Sequence, residues 1–295
     1  MISSIYETFH QVKTWRILIL PLMLFFLSAC AVPRVGIKIA QPSNLIQNEA
    51  IKEASGVVKS KQFNGVFWIH NDSGDIPRIF AVDWKGNSIA EYLVQSAEHV
   101  DWEDITTDND GNLYIGDIGN NQNKRKDLKV YITKEPNPQD NEEVLIKKIV
   151  PFRYPDQEKF GSPLHLNFDA EALFYFRDIL WILTKHRSNT KTKLYKFSTL
   201  EGKREIVLEK VDEYDVDGMV TGADVNLAET HLAVLTYDII WIFWLPQRGD
   251  KLLSGKSKKI PIFLKQCEGI CWDGDELVVV NEEGEIYRVN PDPGD

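Results

Sequence analysis

Three features of the 295-residue sequence predict an all-β fold built from repeated units. Five segments share one order of short strands, and turn dipeptides such as Asp110-Gly111 and Asp273-Gly274 separate the strands. No stretch sustains the apolar period of a helix. The repeats open at Ser55-Gly56-Val57, Glu103-Asp104-Ile105, Glu171-Ala172-Leu173, Ala223-Asp224-Val225 and Glu268-Gly269-Ile270, roughly 45 to 68 residues apart. Second strands are expected near residues 66–70, 112–116, 179–184, 231–236 and 276–280. Third strands are expected near 78–83, 128–133, 193–197, 239–245 and 285–290.

A four-stranded repeat of this length is the blade of a β-propeller. Five repeats predict five blades, with six if the Pro- and charge-rich stretch Pro136–Leu166 hides a degenerate one. The fifth repeat shows no fourth strand of its own. The ring is therefore expected to close with an N-terminal strand, Val35–Ala40 or Leu45–Ile51, which removes the exposed edges.

The first thirty residues read as an address. Lys13 and Arg16 precede the apolar run Ile17–Leu27, which has the length of a signal-peptide core and is too short to span a bilayer. Leu27-Ser28-Ala29-Cys30 follows and resembles the lipobox of bacterial lipoproteins. That resemblance implies cleavage before Cys30 and acyl chains, palmitate among them, on Cys30, enough for stable anchoring in the membrane. Ala31 in place of Asp resembles the sorting signal for the outer membrane, so the periplasmic face is the expected location. The expected organisation is a signal peptide over 1–29, a lipidated Cys, linker and closing strand over 30–52, and one propeller domain over 53–295.

Composition narrows the partners. The chain carries 34 Lys+Arg against 44 Asp+Glu, a net charge of −10. That balance excludes the basic stripe of a nucleic-acid binder and an electrostatic hold on anionic lipid. With 11% aromatic residues and 8 Trp the chain has ample core material, and a monomer is expected. Three Cys are too few for a disulfide scaffold, and Cys267 and Cys271, four apart along an extended strand, are expected as buried thiols.

In a propeller the innermost strand begins on the face where the second strand ends, so both positions ring the channel mouth. Glu103, Glu171, Asp224 and Glu268 occupy the strand starts, with Asp101 and Asp169 nearby. Asp72 and Asp117 occupy second-strand ends. So many like charges raise one another's pKa unless something compensates. A hard cation such as Ca²⁺, taking six to eight oxygens, is the expected compensation, with Glu103, Glu171, Asp224, Glu268, Asp72 and Asp117 as candidate ligands. Capping of turns by Asp and Asn is the competing explanation, above all for Asp101 and Asp169. Lys185-His186-Arg187 is the basic interruption, an ion-pair partner for these carboxylates or a site for a ligand anion.

Other chemistries find little support. There is no Gly-x-Ser-x-Gly elbow, and the six His lack metal spacing. Asn71-Asp72-Ser73-Gly74-Asp75 lacks the length and terminal Glu of an EF-hand loop. Trp68, Trp181, Trp241 and Trp272 fall on strands where blades stack and read as core.

Taken together, His70-Asn71-Asp72-Ser73-Gly74-Asp75, Asp101-Trp102-Glu103-Asp104-Ile105, Gly116-Asp117-Ile118-Gly119-Asn120-Asn121, Asp169-Ala170-Glu171-Ala172-Leu173, Thr221-Gly222-Ala223-Asp224 and Gln266-Cys267-Glu268-Gly269-Ile270 resemble a family of secreted bacterial β-propellers without an established activity. The resemblance spans about Ser55 to Glu282. More distantly, the acidic ring is similar to that of calcium-dependent nucleotidases and propeller phytases. The recurring Glu matches at Glu103, Glu171 and Glu268, whereas the fourth repeat has Asp224 and the first Ser55. The many basic residues a phytase needs have no match.

Two functional readings follow. One is an envelope propeller whose acidic channel binds a divalent cation, with a small-molecule ligand or an envelope protein at its rim. The other is a Ca²⁺-dependent hydrolase of phosphoric or carboxylic esters. There Glu103 or Glu171 would serve as general base, with Lys185 or Arg187 stabilising developing charge.

Overall fold

The computed structural model describes residues 41–140, 143–202 and 204–292, and these form a five-bladed β-propeller with no helix among them. The expected lipobox and Cys30 lie outside the described residues. A short strand β1 (Asn44–Leu45) comes first. Blade one follows as β2 (Ala54–Lys59), β3 (Phe67–Asn71), β4 (Arg78–Val82) and β5 (Ser88–Gln95). Blade two holds β6 (Trp102–Thr107), β7 (Asn112–Asp117) and β8 (Lys129–Lys134). After β9 (Val144–Leu145), its outer strand is β10 (Lys148–Arg153).

Blade three comprises β11 (Asp169–Phe176), β12 (Ile179–Lys185) and β13 (Lys191–Lys196). Its outer strand β15 (Glu209–Asp215) follows the short β14 (Ile206–Val207). Blade four is β16 (Val220–Val225), β17 (His231–Thr236), β18 (Ile239–Trp244) and β19 (Ser257–Pro261). Blade five is β20 (Cys267–Asp273), β21 (Glu276–Asn281) and β22 (Glu285–Val289).

The Pro136–Leu166 stretch holds no sixth blade. It supplies β10, the outer strand of blade two, and β9, which pairs in parallel with the edge of blade one. In the same way β14 pairs in parallel along β10. Two outer edges are thus covered, which blunts edge-to-edge association.

Ring closure is supplied from the N-terminal side. β1 completes blade five by pairing antiparallel with β22, Asn44 opposite Ile286 and Leu45 opposite Glu285. Backbone bonds from Ser43 N to Ile286 O and from Ile46 N to Gly284 O, both 2.8 Å, extend the contact. The closing strand thus overlaps the start of the Leu45–Ile51 candidate but is shorter, while Val35–Ala40 lies outside the described residues. The inner strands form a complete circle, β2 beside β6, then β11, β16, β20 and back to β2.

Alternating apolar residues on strands buried on both faces give one hydrophobic cluster for each of the five blade interfaces. Trp68, Trp181, Trp241 and Trp272 all sit in these interfaces and are buried. Cys267 and Cys271 are free buried thiols.

Candidate metal centre at the channel mouth

Each inner strand carries a β-bulge within its first residues, where two residues oppose one on the second strand. A bulge re-aims the extra side chain. The bulged residues are Ser55 (with Gly56), Glu103, Glu171, Thr221 and Glu268. Three of the four expected strand-start carboxylates therefore occupy equivalent positions.

Asp224 does not. The fourth repeat is aligned three residues too far along, and Thr221 holds its bulge position. Three strand residues at about 3.3 Å each carry Asp224 roughly 10 Å away. There its Oδ2 accepts the backbone N–H of Trp272 at 2.9 Å, and it lines a cavity with Val58 and Thr107 at the far ends of their strands and Lys61 just beyond β2.

Two acidic triads converge at the mouth, Asp72 with Asp101 and Glu103, and Glu103 with Asp169 and Glu171. Within each triad one carboxylate oxygen per residue lies within 4.8 Å of the others. Of the six expected ligands, the structure brings Asp72, Glu103 and Glu171 together here and adds Asp101 and Asp169. Asp169 also does what a cap does, accepting the backbone N–H of Asn120 at 2.6 Å.

The signal for the two extra residues was in the sequence. Asp-x-Glu occurs at the bulge of two successive repeats, Asp101-Trp102-Glu103 and Asp169-Ala170-Glu171. The bulge re-aims the Glu, and the Asp two residues earlier reaches the same cluster.

The remaining expected ligands Asp117 and Glu268 each bond elsewhere through one oxygen, while Asp117 Oδ2 and Glu268 Oε2 are buried without a hydrogen bond. Asp117 is fully buried and pairs with the Arg125 guanidinium at 2.8 Å. It also accepts the N–H of Asp101. Glu268 accepts from Gln266 Nε2 at 2.9 Å and from the Tyr237 hydroxyl at 3.3 Å. Neither Arg125 nor Tyr237 stands out in the sequence, because Arg125 folds back on Asp117 across the β7–β8 loop and Tyr237 reaches Glu268 from the neighbouring blade.

The mouth is electrically lopsided. On the side of blades three to five a chain of bonds neutralises the acid. Lys185 Nζ reaches Glu171 Oε1 at 3.0 Å and donates to the Tyr237 hydroxyl at 2.9 Å. Arg187 binds Asp169 Oδ2 at 2.7 Å and Glu171 Oε1 at 3.3 Å. Burial opposes the Lys185 charge, but Glu171, Glu268 and Tyr237 outweigh it and hold its pKa above the ordinary lysine range.

On the side of blades one and two the compensation is weaker, since Arg125 pairs with Asp117 and offsets the acid around Asp101 only in part. Glu103 is only 4% exposed, and among the described residues no donor or cation pairs with its carboxylate. Burial first, then Glu171, Asp72, Asp169 and Asp101, push its pKa well above the usual carboxylate range. Asp101 is pushed up to about 6, by burial and then by Asp72 and Asp169. Gly119 makes room for this convergence, because a Cβ there would stand 2.1 Å from Glu103 Oε1.

Among the described residues no histidine joins the acid cluster. His70 is fully buried, stands edge-on to Trp102, and is held neutral by burial with its pKa lowered to about 4. His99 stacks on Trp102 at 4.4 Å.

No family model and no curated protein matches the chain. Solved structures with a similar fold include the β-propeller domain of Cps50 (Swd1) from Myceliophteria thermophila, at 9% identity and a TM-score of 0.43 over 84% of this chain and 99% of that one. A chain of the mitotic checkpoint complex shows 14% identity and a TM-score of 0.37, over 79% of this chain and 60% of that one. Hydrazine synthase of Kuenenia stuttgartiensis shows 9% identity and a TM-score of 0.46, over 80% of this chain and 71% of that one. These are likenesses of fold.

Proposed function

We propose that this chain is a divalent-cation-binding β-propeller of the bacterial cell envelope, anchored through acylated Cys30 and related to the secreted propellers its motifs resemble. Its cation, Ca²⁺ by the hardness of the donors, is held by Asp72, Asp101 and Glu103. The observation that carries this reading is Glu103, a buried carboxylate without a donor, surrounded by four others. Desolvating such a group without a counter-charge is costly, and a cation removes the cost.

The donor geometry fits. Ligands about 2.3–2.6 Å from a central Ca²⁺ stand up to about 5 Å from one another. That span accommodates the triad, whose carboxylate oxygens all lie within 4.8 Å of one another. Asp169 and Glu171 already have Lys185 and Arg187, so the ion belongs on the side of Asp72 and Asp101. Three protein carboxylates leave coordination positions for water or an oxygen-bearing ligand at the rim.

The engagement of both basic residues favours binding over ester hydrolysis. Lys185 is buried against Glu171 and Tyr237, and Arg187 is held by Asp169, Glu171 and Asn121. Neither presents a free cation to a developing oxyanion.

Calorimetric titration of chelator-treated protein with Ca²⁺ tests the reading. One saturable site is expected, with Kd of about 0.1–1 mM as in extracellular modules. Glu103→Gln should abolish it. A chelator-treated protein that neither binds Ca²⁺ nor gains thermal stability from it would refute the cation. Envelope anchoring is tested separately, since Cys30→Ser should release the protein from washed membranes.

A further inference from the structure

Asp104 is buried below the acidic mouth, its Oδ2 accepting the N–H of Leu173 from neighbouring blade three at 2.8 Å and its carboxylate also taking the N–H of Ala223 from blade four. Inner-strand glycines crowd the same level, and a Cβ on Gly56 would meet Asp104 Cα at 2.7 Å. Below this level a separate cavity of about 360 Å³ opens on the face opposite the acidic mouth. The far ends of four inner strands form it, contributing Val58, Thr107, Asp224 and Trp272 among others. Its volume is at the small end of small-molecule sites.

The chemistry of this cavity differs from that of the mouth. One carboxylate, Asp224, faces Lys61, whose ammonium donates to Thr107 O at 3.1 Å. The second lysine, Lys59, is paired with Asp273 outside the lining. Charge is therefore close to balanced, and the cavity selects neither a strong anion nor a strong cation.

Asp224 and Trp272 fix one another. Trp272 donates its backbone N–H to Asp224 Oδ2 at 2.9 Å and its indole N–H to Asp224 O at 3.2 Å. Carboxylate and ring are thus oriented before anything binds, which lowers the cost of binding. Val58, Trp272 and the highly exposed Leu227 make an apolar wall, while the amides of Gln62 and Asn64 add donors and acceptors.

We propose that this lower cavity is a second ligand site, independent of the cation, for a neutral polyhydroxylated ring of mono- or disaccharide size. Such a ring has a C–H face to lie on the apolar wall. Its hydroxyl edge can donate to Asp224 and exchange hydrogen bonds with Lys61, Gln62 and Asn64. A carboxylate offers about four acceptor positions, so Asp224 keeps capacity after serving Trp272.

The test is titration of the whole protein with neutral hexoses, N-acetylhexosamines and their disaccharides, read by calorimetry and tryptophan fluorescence. Saturable binding of at least one sugar at millimolar or lower concentration is expected, with a fluorescence change from Trp272. Asp224→Asn and Lys61→Ala should each weaken it by about tenfold or more while leaving Ca²⁺ titration at the mouth unchanged. Lys61 is exposed, so its variant guards against a folding defect in the other. Absence of binding across the panel, or undiminished binding in both variants, would overturn the proposal. Because the Ca²⁺ titration is a separate readout, failure here is distinguishable from failure of the cation site.

Discussion

The carboxylate of Asp104 on β6 accepts the backbone N–H of Leu173 on β11 at 2.8 Å, joining the neighbouring blades two and three. Its other oxygen takes the N–H of Ile105 at 2.8 Å. The residue after the bulge in the other four blades is Gly or Ala: Gly56, Ala172, Gly222 and Gly269. The axis thus has room for one side chain, and a polar one serves because inner-strand N–H groups point at it. Asp104→Ala should orphan the Leu173 N–H in a sealed interior and cost about 2–3 kcal/mol. Asp104→Asn, which keeps an acceptor oxygen, should cost less. Urea midpoints at constant m-value would show the order, and an alanine variant as stable as wild type would mean that the bond contributes nothing.

Acid at the mouth gives a defined pH dependence. Asp101 has an ordinary pKa of 3.8 that rises to about 6 in the folded protein, through burial first and then Asp72 and Asp169. A carboxylate raised on folding contributes stability that is fully present below its unfolded pKa and is lost as pH rises through the folded value. The metal-free protein should therefore lose stability relative to Asp101→Asn between about pH 4 and pH 7. Allowing for solvent screening of this partly exposed group, the difference is on the order of 1–2 kcal/mol. Saturating Ca²⁺ should reverse the order, because only the wild type retains the ligand. Thermal melts of both proteins across this range, with chelator and with Ca²⁺, would show whether the crossover exists.

How far the sequence reached depends on which signal each residue carries. Strand periodicity and turn dipeptides placed all five blades, because inward residues must be apolar on strands packed on both faces. The closing strand was anticipated from the incomplete fifth repeat, but its length was not, since two paired residues leave almost no pattern. Asp224 is misaligned because it is the carboxylate nearest the start of the fourth repeat, whereas the bulge position is held by Thr221, which carries no charge to mark it. The neutralising partners Arg125 and Tyr237 were missed for another reason. Their contacts to Asp117 and Glu268 cross loops and blades, and no local spacing encodes them.

Lys185 and Glu171 form a buried pair at 3.0 Å, and removing the lysine leaves Glu171 in a desolvated site with only Arg187 at 3.3 Å. Lys185→Met should destabilise the protein by about 3 kcal/mol in chelator. The loss should be partly reversed by Ca²⁺, because the second triad of Glu103, Asp169 and Glu171 then lacks its main counter-charge and becomes a cation site itself. The expected signature is a Ca²⁺-induced rise in melting temperature larger in the variant than in wild type. An equal rise in the two proteins would show that Lys185 does not compete with the ion.

Two glycines separate the ring from the site it carries. A Cβ at Gly269 would stand 2.3 Å from the backbone oxygen of Ser55, an atom that only a shift of the inner strand can move. Gly269→Ala should therefore destabilise the fold by about 1–3 kcal/mol, as overpacking does. At Gly119 the nearest atoms to an added Cβ are Glu103 Oε1 at 2.1 Å and the Asp101 carboxylate at 2.4 Å, both ends of side chains that can swing away. Gly119→Ala should accordingly cost little stability in chelator but displace two of the three proposed ligands. Ca²⁺ affinity is expected to fall by about tenfold or more, equivalent to at least about 1.4 kcal/mol. Parallel melts and calorimetry on the two variants resolve the effects. If Gly119→Ala bound Ca²⁺ as wild type does, Asp101 and Glu103 could not be the pair that holds the ion.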